Sequence, residues 1–330
     1  MPDHRPVGGR AAAAPPPAPP TVERDPIDGA HPDSARGGAP HAGFGVTDVL
    51  LLAMALIWGV NFSVVKFGTG VMSPLAFNGT RMLLAAAALG ALALTMRDRW
   101  PTGADALRLL LLGVLGNGVY QLLFVEGIAR TRAGNAALML AATPVFVALI
   151  GRLLGVERAG WRAIVGILVS VAGIGLVVTS TAQGTVSESS VRGDLLVLAA
   201  CTSWALYTVL LKPFTERVDG VVLSAVTMIG GAVPLALWAS PSLAAVKWGS
   251  VPAPAWGAVV YSGLGALVIA YLCWYRGVRT LGPTRTAMYG NLQPVIALLV
   301  AWLTLGETPT AFQAIGVVLI LGGVLMTRKG

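Results

Sequence analysis

Thr143-Pro144-Val145-Phe146-Val147-Ala148-Leu149 returns 150 residues later as Gln293-Pro294-Val295-Ile296-Ala297-Leu298-Leu299. In each copy a glutamate, Glu157 or Glu307, stands thirteen residues after the proline. A glycine nine residues further on, Gly166 or Gly316, opens another apolar run. The chain is therefore one unit written twice. A duplicated unit of membrane-length apolar runs points to a transporter built from internal repeats.

Composition places the chain in a bilayer. Of its 330 residues, 55% are hydrophobic and 12% charged, with a mean hydropathy of +0.74, which excludes an ordinary soluble domain. The net charge of +8 is spread as single basic residues between apolar runs. Membrane topology explains that spread better than a nucleic-acid-binding stripe does. Cys201 and Cys273 both fall inside apolar runs without paired spacing, so they read as small buried hydrophobes. The three histidines, His4, His31 and His41, lie in the first 45 residues. The apolar body thus lacks histidine-based catalysis, metal binding and proton relay, and no cofactor or metal is expected. Residues 1–45 hold ten of the 21 prolines and read as a disordered cytoplasmic tail. Without an apolar h-region this tail is not expected to act as a secretory signal.

A helix needs about 20 mostly apolar residues to cross the hydrocarbon core. By that measure ten spans are predicted, near 47–70, 74–95, 107–128, 134–154, 162–180, 194–211, 221–238, 256–276, 285–304 and 310–327. Ser73-Pro74 marks a short connection between the first two. With the N-terminus in the cytoplasm, thirteen basic residues of the connections and the C-terminus lie inside and five outside. That bias predicts both termini in the cytoplasm. Five spans per repeat is an odd number, so the second copy, 192–327, is inverted relative to the first, 46–180. Inverted repeats place a site near the bilayer midplane, between the halves.

Trp58-Gly59-Val60-Asn61-Phe62, Phe77-Asn78-Gly79-Thr80-Arg81, Pro144 through Glu157 with Gly166, and Pro294 through Glu307 with Gly316 occur in that order along the chain. Together they resemble an EamA-type member of the drug/metabolite transporter superfamily, over about residues 46–327. Leu305-Gly306-Glu307 keeps the usual pattern of the family, whereas the first copy reads Gly155-Val156-Glu157. The resemblance implies a ten-helix, multi-pass carrier of small metabolites, often amino acids and often outward. The expected setting is the bacterial inner membrane, as a monomer or homodimer.

Polar and aromatic groups inside the spans are the candidate site. Arg81, early in span 2, is either a fixed cation for a substrate carboxylate or a structural arginine paired with Glu126 or helix carbonyls. Glu126 is the one acid placed within a span, so no deep acid for proton coupling is expected. Trp58 and Asn61 of span 1 recur as Trp204 and Tyr207 of span 6, each pair three residues apart. Across an inverted pair they would face one another and line a ring-walled, weakly polar cavity, or else simply pack helix to helix. Lys66 and Lys212, eight residues after each tryptophan, read as snorkelling lysines. Spans 3, 8 and 9 add Asn117, Tyr120 and Gln121; Tyr271, Trp274 and Tyr275; and Tyr289, Asn291 and Gln293, with Tyr261 a weaker candidate. Pro144 and Pro294 read as hinges within spans 4 and 9. Gly113, Gly116, Gly118, Gly166, Gly173, Gly316, Gly322 and Gly323 read as close helix contacts. Glu157 and Glu307 read as caps on the helices that follow them. A membrane enzyme and a non-transporting receptor are the competing classes, and neither needs an inverted duplication.

Overall fold

The computed structural model describes residues 45–96, 100–155, 161–183, 188–281, 289–290 and 292–328. Among the described residues there is no strand. A chain crossing hydrocarbon must satisfy its backbone N–H and C=O groups internally, and the α-helix does so within one segment. The helices are α1 (Val46–Val71), α2 (Pro74–Thr95), α3 (Gly103–Arg130), α4 (Ala133–Ala141), α5 (Thr143–Leu153) and α6 (Trp161–Gln183). They continue with α7 (Glu188–Thr215), α8 (Gly220–Ala244), α9 (Ala253–Gly277), α10 (Gln293–Leu305) and α11 (Ala311–Arg328). Six of these, α1, α2, α3, α7, α8 and α9, are long and apolar enough to cross a membrane. The pair α4–α5, bent by 40°, makes a seventh if it is one broken span. The apolar stretches in α6, α10 and α11 are shorter.

Local chemistry sets the helix starts. Ser73 Oγ accepts from the Ala76 amide at 3.3 Å and Pro74 occupies the first turn of α2, which makes the short connection expected there. Pro144 and Pro294 likewise stand in the first turns of α5 and α10. At those positions a missing N–H breaks nothing. The prolines therefore begin helices instead of kinking continuous ones, and the bend in the first repeat lies at Ala142 between α4 and α5.

Two helices carry π-helical turns at corresponding places, Val114–Val119 in α3 and Tyr261–Ile269 in α9. In α9 the turn sends the Ala270 amide to the carbonyl of Gly265, which leaves the Ala266 carbonyl without its usual helical donor.

Packing runs across the repeats. α1 packs on α9 and α10, and its counterpart α7 packs on α3 and α5. α2 lies on α8 and α6 on α11, each helix against its own repeat mate. The arrangement is unchanged when the halves are exchanged, as a pseudo-twofold relation requires. Each repeat thus gives its first helix to the other, so the sequence halves are not separate packing units.

Glycine contacts allow these approaches. A Cβ on Gly323 of α11 would fall 2.3 Å from Ser170 Oγ and 2.4 Å from the Gly166 carbonyl of α6. One on Gly113 would fall 2.2 Å from the Thr227 carbonyl, and one on Gly116 2.3 Å from the Tyr207 ring. Gly322 meets nothing within 4 Å, so it departs from the close-contact reading. Gly323→Ala is expected to force α6 and α11 apart at a cost of about 1–3 kcal/mol, seen as a lower melting temperature in detergent. Gly322→Ala, with open space around it, is expected to leave that temperature unchanged or slightly raised. Equal melting temperatures for the two variants would contradict this packing.

Candidate functional site

The site starts from α1. Trp58 lies ten residues after Asp48 and eight before Lys66, and so sits near the middle of the helix. Its indole N–H donates to the Ala266 carbonyl at 2.9 Å, the group released by the π turn of α9. The ladder break in one repeat thus orients the tryptophan of the other. The opposite tie also exists, since the Ser203 hydroxyl of α7 donates to the Leu115 carbonyl, in the π turn of α3, at 2.9 Å.

Rings then connect in sequence. Trp58 lies 5.9 Å from Tyr271 and 5.8 Å from Trp274, centroid to centroid. Trp204, the repeat mate of Trp58, lies 5.9 Å from the same Tyr271, 5.2 Å from Tyr207 and 4.9 Å from Tyr120. Tyr120 stacks on Phe124, which meets Phe62 edge-on, and Tyr275 stacks on Tyr271. Pairs at these separations each contribute about 0.5–1.5 kcal/mol beyond burial. The two tryptophans meet through one tyrosine, joining α1, α3, α7 and α9. Tyr207 and Tyr271 are buried, while Trp58, Trp204, Tyr120, Trp274 and Tyr275 are half-buried.

Two cavities, of about 280 and 240 Å³, lie away from these rings. The first is bordered by Met72, Ser73, Lys247 and Pro252, and the second by Leu75, Leu122, Glu126, Arg192 and Trp238.

Arg81 sits beside this cluster with no solvent exposure. Its Nε donates to Asn78 Oδ1 at 3.0 Å, Nη1 to Ser262 Oγ at 2.7 Å and Nη2 to Gln121 Oε1 at 2.6 Å. The ring of Phe77 lies 5.8 Å from the guanidinium carbon. Asn78 is itself fixed by donating to the Gln121 carbonyl at 3.0 Å. The expected pairing with Glu126 is absent, because Glu126 pairs with Arg130 one turn along α3. Arg81 therefore ties α2, α3 and α9 through neutral side chains. Ser262 and Asn78, which complete this tie, were not among the expected site residues. Asn78 could have been noticed, since it lies three residues before Arg81 on one helix face. Ser262 becomes visible only when the π turn aims it.

The remaining candidates divide. Asn117 is buried in the π turn of α3, its backbone against Gly231. Asn61 is buried in α1, and its Oδ1 has no hydrogen-bond partner among the described residues. Tyr261 donates to the Ile57 carbonyl at 3.1 Å. Gln293, half-buried, opens α10 beside Gly59 and is not brought to the rings, and Pro294 is buried next to it. Asn291 and Glu157 lie outside the described residues.

Two further acids, outside the expected site residues, are buried. Asp48 and Asp194, 1% and 0% exposed, hold corresponding places at the starts of α1 and α7. Tyr289 donates its hydroxyl to Asp48 at 2.5 Å, and Thr131 hydrogen-bonds Asp194. Lys66 is half-buried. Its ammonium donates to the Ala129 and Thr131 carbonyls at 3.1 and 2.6 Å, capping the C-terminal end of α3. Lys212 is exposed.

Glu307 also departs from its expected role. The helix that follows it is capped by Thr310, whose hydroxyl accepts from the Gln313 amide at 3.2 Å while the Gln313 side chain accepts from the Thr310 amide at 2.9 Å. Glu307 instead reaches the other repeat and accepts from the Ala133 and Gly134 amides, at 3.1 and 3.3 Å, at the start of α4.

Comparison with known proteins agrees with this construction. A transporter from Archaeoglobus fulgidus, named as uncharacterized, is 30% identical over 85% of this chain and 96% of its own length. A probable terminal-alkyne amino-acid exporter from Streptantibioticus cattleyicolor is 28% identical over 84% of this chain and 92% of its own. A probable amino-acid metabolite efflux pump from Salmonella typhimurium is 26% identical over 85% and 94%. A crystal structure of a chain 22% identical superposes with a TM-score of 0.61, covering 86% of this chain and 98% of that one, and shares the fold. The EamA-like transporter family matches residues 45–179 and again 191–328, once for each repeat, and the chain belongs to that family.

Proposed function

We propose that this protein is a secondary carrier that moves small amphipathic solutes, amino acids or close derivatives, outward across a bacterial inner membrane. The observation that carries the reading is the meeting of Trp58 and Trp204 on Tyr271, where matching residues of both repeats converge near mid-helix. An alternating-access site needs such a place, reachable in turn from either side. The half-buried faces of these rings line the solute path, with Asn61, Asn117, Tyr120 and Gln121 as its polar groups. Trp58 and Trp204 offer apolar faces to a side chain and π faces to an ammonium. The symmetric packing of the repeats supports an inverted pair of repeats; ten spans, cytoplasmic termini and a monomer or homodimer belong to the same proposal. Export, and amino acids as cargo, rest on the names of two relatives, an exporter and an efflux pump.

We take the rocking bodies to be α1, α9 and α10, which pack together, against α3, α4, α5 and α7, which do likewise. No ATP-binding motif is visible in the sequence, so solute or ion gradients supply the energy. Asp48 and Asp194 lie at helix ends, away from the rings. A second reading, export of drug-like organic cations or other metabolites, is favoured by the aromatic faces.

Proteoliposome counterflow with a panel of labelled amino acids and one lipophilic cation tests the reading. Exchange of at least one amino acid is expected; exchange of the cation alone would select the second reading, and no exchange of any solute would contradict the carrier. Trp58→Ala and Trp204→Ala should each lower exchange at least about tenfold, the effect of about 1.4 kcal/mol of lost interaction. Trp256→Ala, removing a ring that stacks on Trp248 outside the cluster, should leave it near wild type.

Arg81→Lys loses the three-way fork while keeping the charge. It should lower the melting temperature by several degrees, because each hydrogen bond to a buried charge is worth about 1.5–3 kcal/mol. Unchanged stability with abolished exchange would instead make Arg81 a direct solute contact.

A further inference from the structure

Six segments of the two repeats are tied together at one end of the molecule, the end of α1 that carries Lys66. Lys66 holds the carbonyl end of α3, and Thr131, just past that end, hydrogen-bonds Asp194 at the start of α7. Arg132 donates to the Thr308 carbonyl at 2.6 Å, and its Nε lies 3.8 Å from Glu307. Glu307 sits on the two amides that open α4, and the Gln313 side chain of α11 donates to Asn135 Oδ1 of α4 at 2.6 Å. α1, α3, α4, α7, the turn after α10 and α11 thus converge above the ring cluster.

Glu307 is the link with the best physical reason to be decisive. Gly306, at φ +68°, ends α10 in the left-handed region and returns the Glu307 amide to the Ala301 carbonyl at 3.2 Å. That turn frees the side chain to leave its own helix. Its carboxylate then meets the unsatisfied N–H groups and positive dipole end of α4, only 14% exposed, with Arg132 beside it. α4 is nine residues long and separated from α5 by the break at Ala142, so it can pivot without unwinding its neighbour. Gly134 lies against Leu298 of α10, so the carboxylate closes the seam between the two bodies that alternating access must part.

We propose that Glu307 is the latch of the gate at this end: its carboxylate on the start of α4 holds the central site shut, and the open state requires its release. This rests on the carrier reading given above. It assigns the second glutamate of the duplicated phrase a positioning role in transport rather than a role in local helix capping.

The test is accessibility, which needs no known solute. In a Cys201→Ala, Cys273→Ala background, Asn61→Cys reports on the site. Its reaction with a membrane-impermeant maleimide is followed in right-side-out and in inside-out vesicles. Adding Glu307→Gln should raise labelling at least about fivefold from one face and lower it, or leave it unchanged, from the other, since a neutral amide holds the α4 amides less strongly than a carboxylate. Arg132→Ala should do the same more weakly, and it serves alone if Glu307→Gln does not fold. Labelling unchanged from both faces would overturn the latch, as would an equal rise from both faces, which would mark general loosening. Labelling that changes as expected in a protein that exchanges no solute would leave the gate standing and remove the carrier's proposed cargo.

Discussion

Hydrocarbon tolerates no unsatisfied backbone group, and that constraint organises this protein. Most of the chain meets it with unbroken helices. Where the helical ladder is interrupted, the released groups must find partners on other helices, and the functional features collect there. The π turn of α9 frees the Ala266 carbonyl, which takes the Trp58 indole and so fixes the ring on which the site is built. The ends of α3 and α4 leave carbonyls and amides that take Lys66 and Glu307. The breaks at Ala266 and at the start of α4 thus become joints between repeats.

The same rule applies to charge. Arg81 is wholly buried, yet three neutral oxygens from three helices satisfy it. A guanidinium suits this role because its donors form a rigid fork. The result is a fixed positive charge beside the rings.

Much of this was legible in the sequence because it depends on repetition and local spacing. The matching positions of Trp58 and Trp204, the aromatic groups of spans 3 and 8 and the start of α2 at Ser73-Pro74 follow from pattern alone. What escaped is what depends on a partner far along the chain. Glu307 stands before a helix and reads as its cap, but the cap is Thr310, and the glutamate's partners lie 174 and 173 residues away. Asp48 and Asp194 stand at span edges, where an acid reads as solvated, yet each is buried against the opposite repeat. Pro144 and Pro294 look like interruptions in apolar runs, and only the backbone shows that helices begin at them. Ser262 carries no signal in the sequence, because a π turn decides where it points.

The central claim is that two bodies, each drawn from both repeats, alternate about the Trp58–Tyr271–Trp204 contact. Spin labels on exposed neighbours of the Arg132–Thr308 contact, and a second pair at the other end of α1, where the Thr280 hydroxyl donates to Thr47 Oγ1 at 3.5 Å, would measure both ends of the molecule by electron–electron double resonance. The account predicts two distances for each pair, with the long distance at one end coinciding with the short distance at the other, and a redistribution when a transported solute is added. Single, unchanged distances at both ends, with and without a solute that the protein exchanges, would contradict it.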